Sequence, residues 1–260
     1  MKKKIKWPTW LMLIRHDTSE FNMLKNIKEE DSKYKEYLAA REKDDSSNES
    51  ILLAKLIMEK FSIKESDAET KLADKDGKQA YRTGIALAKD FELPDVVFVS
   101  PYLRTLETLR HIGRGWNGLE NVKTYKEDRL REQDHGIASL YNDWKIFHTL
   151  NPEQRKLNEK EGRYYYRFPQ GENVPDVRLR NLSWLSTLTR DFAGKKVLVV
   201  THHLNILAMR ANLERFDDEK FRDLDENHKP INSGVTLYRC NPDKGTQGKI
   251  ELDFYNKKFY

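Results

Sequence analysis

The chain has 260 residues, 38% hydrophobic and 34% charged, which suits a soluble protein with a modest core and one large or two small α/β domains. Its 47 basic residues exceed 42 acidic ones for a net charge of +5, but the two signs are interleaved, so there is no basic arm or stripe for nucleic acid. The single cysteine, Cys240, excludes an intramolecular disulfide framework and a cysteine zinc cluster, and fits a reducing, cytoplasmic setting.

The Lys-rich start resembles the charged beginning of a signal peptide, but Pro8, Arg15 and His16 break the apolar run that should follow. No stretch approaches the ~20 apolar residues needed to span a bilayer, so neither export nor membrane insertion is expected.

Leu11 to Ile14 is an apolar run of the length of a buried strand, and it ends abruptly in Arg15-His16-Asp17-Thr18-Ser19. Residues 23–70 are highly charged yet helical in period. Tyr34, Tyr37, Leu38 and Arg41 share one spacing and Leu53, Leu56, Ile57 and Phe61 another, with a turn and helix cap at 44–48 between them. This predicts a helical insertion, placed over the strand ends as a lid or exposed as a plain helical hairpin.

A second helical unit is expected from Gly77 to Phe91, followed by a buried strand at 95–100 that turns into a helix carrying Arg104. Val122 to Lys126 reads as a third strand. Residues 139–148 read as helical and 151–173 as a long, polar, aromatic-rich connection. A helix with Val177, Trp184, Leu185, Leu188 and Phe192 on one face follows, ended by Gly194. Lys196 to Thr201 is the clearest strand, leading through His202-His203 into a helix over 206–213, and two alternating strands at 234–240 and 249–255 close one edge. Strand-helix alternation over 1–260 argues for one α/β domain with a mainly parallel sheet.

In such a sheet the carboxyl ends of the strands lie on one edge, where ligands bind. Arg15-His16, Ser100 to Arg104 and His202 therefore converge despite their separation in sequence. Two arginines that stay protonated and donate bidentately, with one histidine to attack phosphorus and another to donate to an oxygen, suit a phosphate monoester. Glu132 is the candidate acid for the leaving group.

These residues carry a resemblance. Arg15-His16 with Thr18 and Asn22 resembles the Arg-His-Gly signature of the histidine phosphatase superfamily, the phosphoglycerate-mutase-like fold. Arg104 in Ser-Pro-Tyr-Leu-Arg-Thr-Leu-Glu-Thr resembles its second phosphate-binding arginine. Glu132 in Leu-Arg-Glu-Gln-Asp-His-Gly resembles its general acid, and His202 after Val-Leu-Val-Val-Thr its second histidine. Leu72-Ala73-Asp74 with Gly77 and Gln79-Ala80 is similar to the segment before the second strand, and Gln170-Gly171-Glu172 to a Gly-Glu element before the penultimate helix.

The likeness runs in order from about residue 9 to 240. It implies a three-layer α/β/α domain, a transient phosphohistidine on His16, and no metal or other cofactor. The catalytic set it points to is Arg15, His16, Arg104, Glu132 and His202, with Ser19, Asn22, Glu172 and His203 as further substrate contacts.

Two residues depart from the pattern: Asp17 stands in place of the signature glycine and His203 in place of the glycine after the second histidine. An inward Asp17 would repel an anion; an outward one is harmless. Asp17, Asp134, His135, His202 and His203 offer the ligand types of a dinuclear metal site, a minor alternative that no spacing motif supports. Mutase-type members continue from the first motif into Phe-x-Gly-Trp, which the charged insertion replaces here, so hydrolysis of a small phosphomonoester is expected, with a phosphoprotein as second substrate class. A phosphoglycerate-type mutase and a catalytically weak phosphate-binding module are the alternatives. Tyr164 to Tyr166, flanked by Arg163 and Arg167, suit stacking a nucleobase or covering a sugar phosphate, and equally anchoring a loop; a homo-oligomer is compatible with the sequence.

Overall fold

Strand alternation sorts the core into two faces. In the computed structural model, which describes residues 5–260 and so leaves the basic start at 1–4 outside, β1 (Trp10–Arg15), β2 (Val96–Val99), β3 (Thr124–Lys126), β4 (Lys196–Thr201), β5 (Val235–Asn241) and β6 (Lys249–Lys257) form one sheet. Its order is β3-β2-β4-β1-β5-β6, with β1, β2, β3 and β4 parallel and β5 and β6 antiparallel.

Met12 and Ile14 of β1, with Val97, Val99, Leu198 and Val200, face α4 (Lys78–Asp90) and α5 (Leu103–Gly115) through Leu87, Ile112 and the nearby Trp116. Leu11 and Leu13, with Phe98, Val197 and Val199, face α8 (Val174–Asp191) and α9 (His203–Glu214) through Trp184, Leu188, Ile206 and Met209. Both faces being covered accounts for strands that read as continuous apolar runs. The result is the three-layer α/β/α arrangement expected.

The charged insertion resolves into α1 (Glu20–Glu30), α2 (Ser32–Lys43) and α3 (Asn48–Lys60), so helix begins at Glu20 rather than at 23. Tyr34, Tyr37, Leu53, Ala54, Ile57 and Phe61 build a separate small core against Ile146 of α6 (Trp144–Leu150). Leu56, expected on the apolar face, is 48% exposed. Lys28 of α1 is buried and donates to Asp143 at 2.6 Å, which also accepts from Tyr34 at 2.7 Å, so the insertion is fastened to the turn before α6.

Three expectations along the chain need correction. The helix expected over 139–148 is a 3-10 stretch, Gly136–Tyr141, followed by α6. The connection expected at 151–173 is mostly α7 (Pro152–Tyr165), started by proline in its first turn and interrupted where Gly162 adopts φ 76°. The helix after β4 begins at His203 rather than 206, and α10 (Asp218–Asn227) follows it.

Candidate active site

The carboxyl ends of β1, β2 and β4 bring His16, Ser100 and His202 together. His16 donates its amide to Thr201 O at 2.9 Å, and Ser100 donates its own to Val200 O at 3.0 Å, which fixes the three strand ends in register. The imidazoles of His16 and His202 lie edge to face with centroids 5.2 Å apart, and both residues are buried.

Each ring has one nitrogen engaged by its neighbour. His16 Nδ1 lies 2.7 Å from Asp17 O; a carbonyl only accepts, so Nδ1 carries the proton and Nε2 keeps its lone pair. His202 Nε2 lies 2.8 Å from Ser100 Oγ, whose own lone pairs face the Tyr102 amide at 3.5 Å. Ser100 Oγ and His202 Nε2 share one hydrogen bond, and His202 Nδ1 is buried with no partner among the described residues. Burial pushes both histidines well below the ordinary imidazole range, with Arg104 the next cause for each and Arg15 adding to it. Both are therefore neutral at neutral pH.

Arg15 is held from beneath by a segment to which the sequence reading assigned no role. Its Nη1 donates to Pro230 O at 2.7 Å, and Ser233 donates its amide to Arg15 O at 3.1 Å from a backbone at φ 54°. Asn232 Nδ2 donates to His16 O at 3.0 Å and to Asn22 Oδ1 at 3.1 Å. The Pro230-Ile-Asn-Ser-Gly234 turn thus cradles the first motif; its signal in the sequence is a polar turn just before a strand. The Arg15 guanidinium is held down by burial and lifted by Glu132, which places that carboxylate within electrostatic reach.

Arg104, 4% exposed, leaves the first turn of α5. Its Nη1 donates to Asp67 Oδ1 at 2.9 Å and to Asp67 O at 2.5 Å, and its Nη2 to Asp67 Oδ2 at 3.3 Å. The guanidinium also lies 4.9 Å from the Tyr102 ring, which in turn packs edge-on to His202. Glu132 accepts from the Leu204 amide at 3.2 and 3.3 Å, at the amino end of α9 where amides lack helical partners. It is half-buried between the strand ends and the surface.

The remaining expected contacts are placed differently from one another. Ser19 and Asn22 form the capping box of α1, with Asn22 Oδ1 also tied to Asn232. Glu172 gives both oxygens to Arg180, at 2.9 and 3.1 Å, and accepts from the Asp134 amide at 3.0 Å. Arg180 also binds the carbonyls of Arg129 and Glu132, so this pair braces the turn that carries Glu132. Gly136 sits at φ 50° where a Cβ would fall 2.1 Å from Pro169 O, which explains glycine at this crossing.

His203 points to Asp225 of α10, Nε2 to Oδ1 at 2.9 Å. Burial favours a neutral Asp225, but His203, Arg163 and Lys229 together hold its carboxyl down to about 2. Asp17 turns outward: its Oδ2 accepts from the Ala80 amide at 2.9 Å and its Oδ1 from Thr18. Its φ is not positive, so losing glycine costs no backbone strain. With Asp17 on α4 and His203 on Asp225, the dinuclear metal set is not assembled, and no cluster of three or more metal-ligating residues occurs among the described residues. Tyr164 and Tyr166 are core residues, packed on Phe221 and His148, and only Tyr165, 53% exposed, is open to solvent, so the run does not present three rings to one ligand.

A mixed six-stranded sheet between helix layers, with two arginines and two histidines gathered at its strand ends, defines a phosphoglycerate-mutase-like architecture. A sequence model of the histidine phosphatase superfamily (branch 1) matches residues 62–247, and the chain belongs to that superfamily. Arg104, Glu132 and His202 lie inside the matched span; Arg15 and His16 lie before it.

The phosphoglycerate mutase-like protein AT74 of Arabidopsis thaliana is 35% identical over 117 residues, 45% of this chain and 35% of that protein, so the alignment spans about a third of that relative. A 2,3-bisphosphoglycerate-dependent phosphoglycerate mutase of Arthrobacter sp. (strain FB24) is 26% identical over 205 residues, 64% of this chain and 81% of the relative. The solved structure of a mycobacterial glucosyl-3-phosphoglycerate phosphatase with VO3 superposes at a TM-score of 0.61 and 18% identity, covering 95% of this chain and 99% of that one. At that identity the likeness is one of fold. No helix among the described residues is long and apolar enough to cross a membrane.

Proposed function

We propose that the protein hydrolyses a small phosphomonoester through a phosphohistidine on His16. The observation that carries the reading is the pairing of His16 Nδ1 with Asp17 O at 2.7 Å, which leaves Nε2 unprotonated on a ring packed edge to face with a second buried imidazole and within electrostatic reach of Arg104 and Arg15. Nε2 attacks phosphorus as the ester P–O bond breaks, and the leaving oxygen takes a proton from Glu132. Arg15, Arg104 and His202 stabilise the charge gathering on the nonbridging oxygens. Water then attacks the phosphorus, Glu132 takes its proton, and the N–P bond breaks to restore His16.

Relatives named as mutases and fold neighbours named as phosphatases both occur, so the choice of hydrolysis rests on the chain itself. The charged insertion replaces the segment with which mutase-type members continue from the first motif, and hydrolysis needs water admitted to the phosphoenzyme. The test is release of inorganic phosphate from a generic aryl phosphate in excess chelator, comparing the native chain with His16→Ala. Chelator-resistant release abolished by the substitution is expected. Release that survives the substitution, or that chelator alone abolishes, overturns the reading. Phosphate transfer to phosphoglycerate that depends on a bisphosphate, without release, identifies a mutase instead.

A further inference from the structure

We infer that Asp67, at the end of the helical insertion, is a positioning residue that aims Arg104 into the site. The inference rests on the reading above, in which Arg104 binds the phosphoryl group. A guanidinium has five N–H donors. Three are taken by Asp67: both hydrogens of Nη1, on Asp67 O and Oδ1, and one of Nη2, on Oδ2. The two left, on Nε and on the far side of Nη2, share one edge of the plane and form a second fork suited to two oxygens of one anion. The carboxylate thus grips the end of the guanidinium and leaves its side edge free. A competitor for the site would instead have covered both.

The segment bearing Asp67 is fixed rather than loosely laid over the pocket. Three residues along α5 from Arg104, Glu107 accepts the Leu72 amide at 2.9 Å, so two contacts on one helix face hold this stretch. Ala73 donates its amide to Thr18 O and Glu20 to Lys71 O, which stitches the same stretch to the loop leaving β1. Residues 66–73 therefore link Arg104 to the motif containing His16 in a single backbone-bonded unit. The Asp67 side chain is 41% exposed, so as a stability element alone its ion pair contributes little.

The experiment measures orthophosphate binding and aryl phosphate turnover for the native chain, Asp67→Asn, Asp67→Ala, Arg104→Ala and the double variant Asp67→Ala/Arg104→Ala. Asp67→Ala is expected to weaken orthophosphate and raise KM by about tenfold, the scale of one misdirected charge-assisted contact. Asp67→Asn, which keeps one of the two side-chain acceptors, is expected to fall between, and it carries the test if the alanine variant does not fold. In the Arg104→Ala background, Asp67→Ala is expected to cost nothing further, because Asp67 acts through Arg104. Tighter orthophosphate binding by the Asp67 variants would show that Asp67 competes for the site, and unchanged binding would show that it does nothing there; either overturns the inference while leaving the native activity intact. A native chain that neither binds orthophosphate nor turns over the ester removes the reading of the site itself, and this inference with it.

Discussion

The Asp17 carboxylate and the Ala80 amide lie 2.9 Å apart across 63 positions of sequence, so a side chain at the end of β1 caps α4. The helix needs this cap because Gly77, at its own N-cap position, offers no side chain. Asp17→Ala is expected to lower stability by about 1 kcal/mol, within the range of lost N-caps, and to leave turnover near the native level. Denaturant midpoints and aryl phosphate rates measured side by side check both halves. A collapse of turnover with unchanged stability would place Asp17 in the chemistry instead.

His148 makes a different prediction. It is 2% exposed, boxed by Trp144, Phe147, Tyr166 and Phe168, and its Nδ1 is buried without a partner among the described residues. Burial, followed by Arg41, lowers its pKa from 6.5 to about 4. The unfolded chain thus takes up this proton first as pH falls, so the stability contributed by neutral His148 is fully present above 6.5 and is lost progressively between 6.5 and about 4. His148→Phe is expected to flatten the decline of the denaturation midpoint across that window. An equally steep decline in the variant would place the sensitivity elsewhere.

Arg180 and Glu172 form a mostly buried pair, 12% and 16% exposed, that also holds the carbonyls of Arg129 and Glu132. Arg180→Ala leaves the Glu172 carboxylate with Arg131, 4.0 Å away, as its only cation among the described residues and is expected to cost about 3 kcal/mol. Glu172→Ala in the same chain should recover part of that loss. Additive effects in a double-mutant cycle would contradict the coupling.

The Ser100 hydroxyl engages His202 Nε2 at 2.8 Å and so orients the ring. Ser100→Ala removes this hold on the ring, and turnover is expected to fall roughly tenfold, the worth of about one directed hydrogen bond, with KM changed less. Loss confined to KM would mean that Ser100 contacts substrate directly.

How legible these features were in the sequence depends on where their information lies. β1, β2 and β4 announce themselves because both of their faces are buried and the residues between their ends are apolar. Arg15, His16, Arg104 and His202 follow, since a parallel sheet delivers its strand ends to one edge. The helix α7 was hidden because Tyr164 is its one fully buried residue, so no apolar stripe marks it. The outward turn of Asp17 depends on α4 lying beside β1, and Glu172 looks like a substrate contact in the sequence because its partner Arg180 sits on the next helix. Asp67 lies 37 residues from Arg104 in a charged stretch whose composition gives no sign of the pairing.

The most direct test of the account is to trap the covalent intermediate. The native chain is mixed with an aryl phosphate, quenched in alkali so that a phosphoramidate survives, and its peptides are mapped by mass. The account predicts one added phosphoryl group on the peptide containing His16, absent from His16→Ala and accumulating when Glu132→Gln slows release. Turnover by the native chain with label on another residue, or with His16→Ala still labelled, would contradict it.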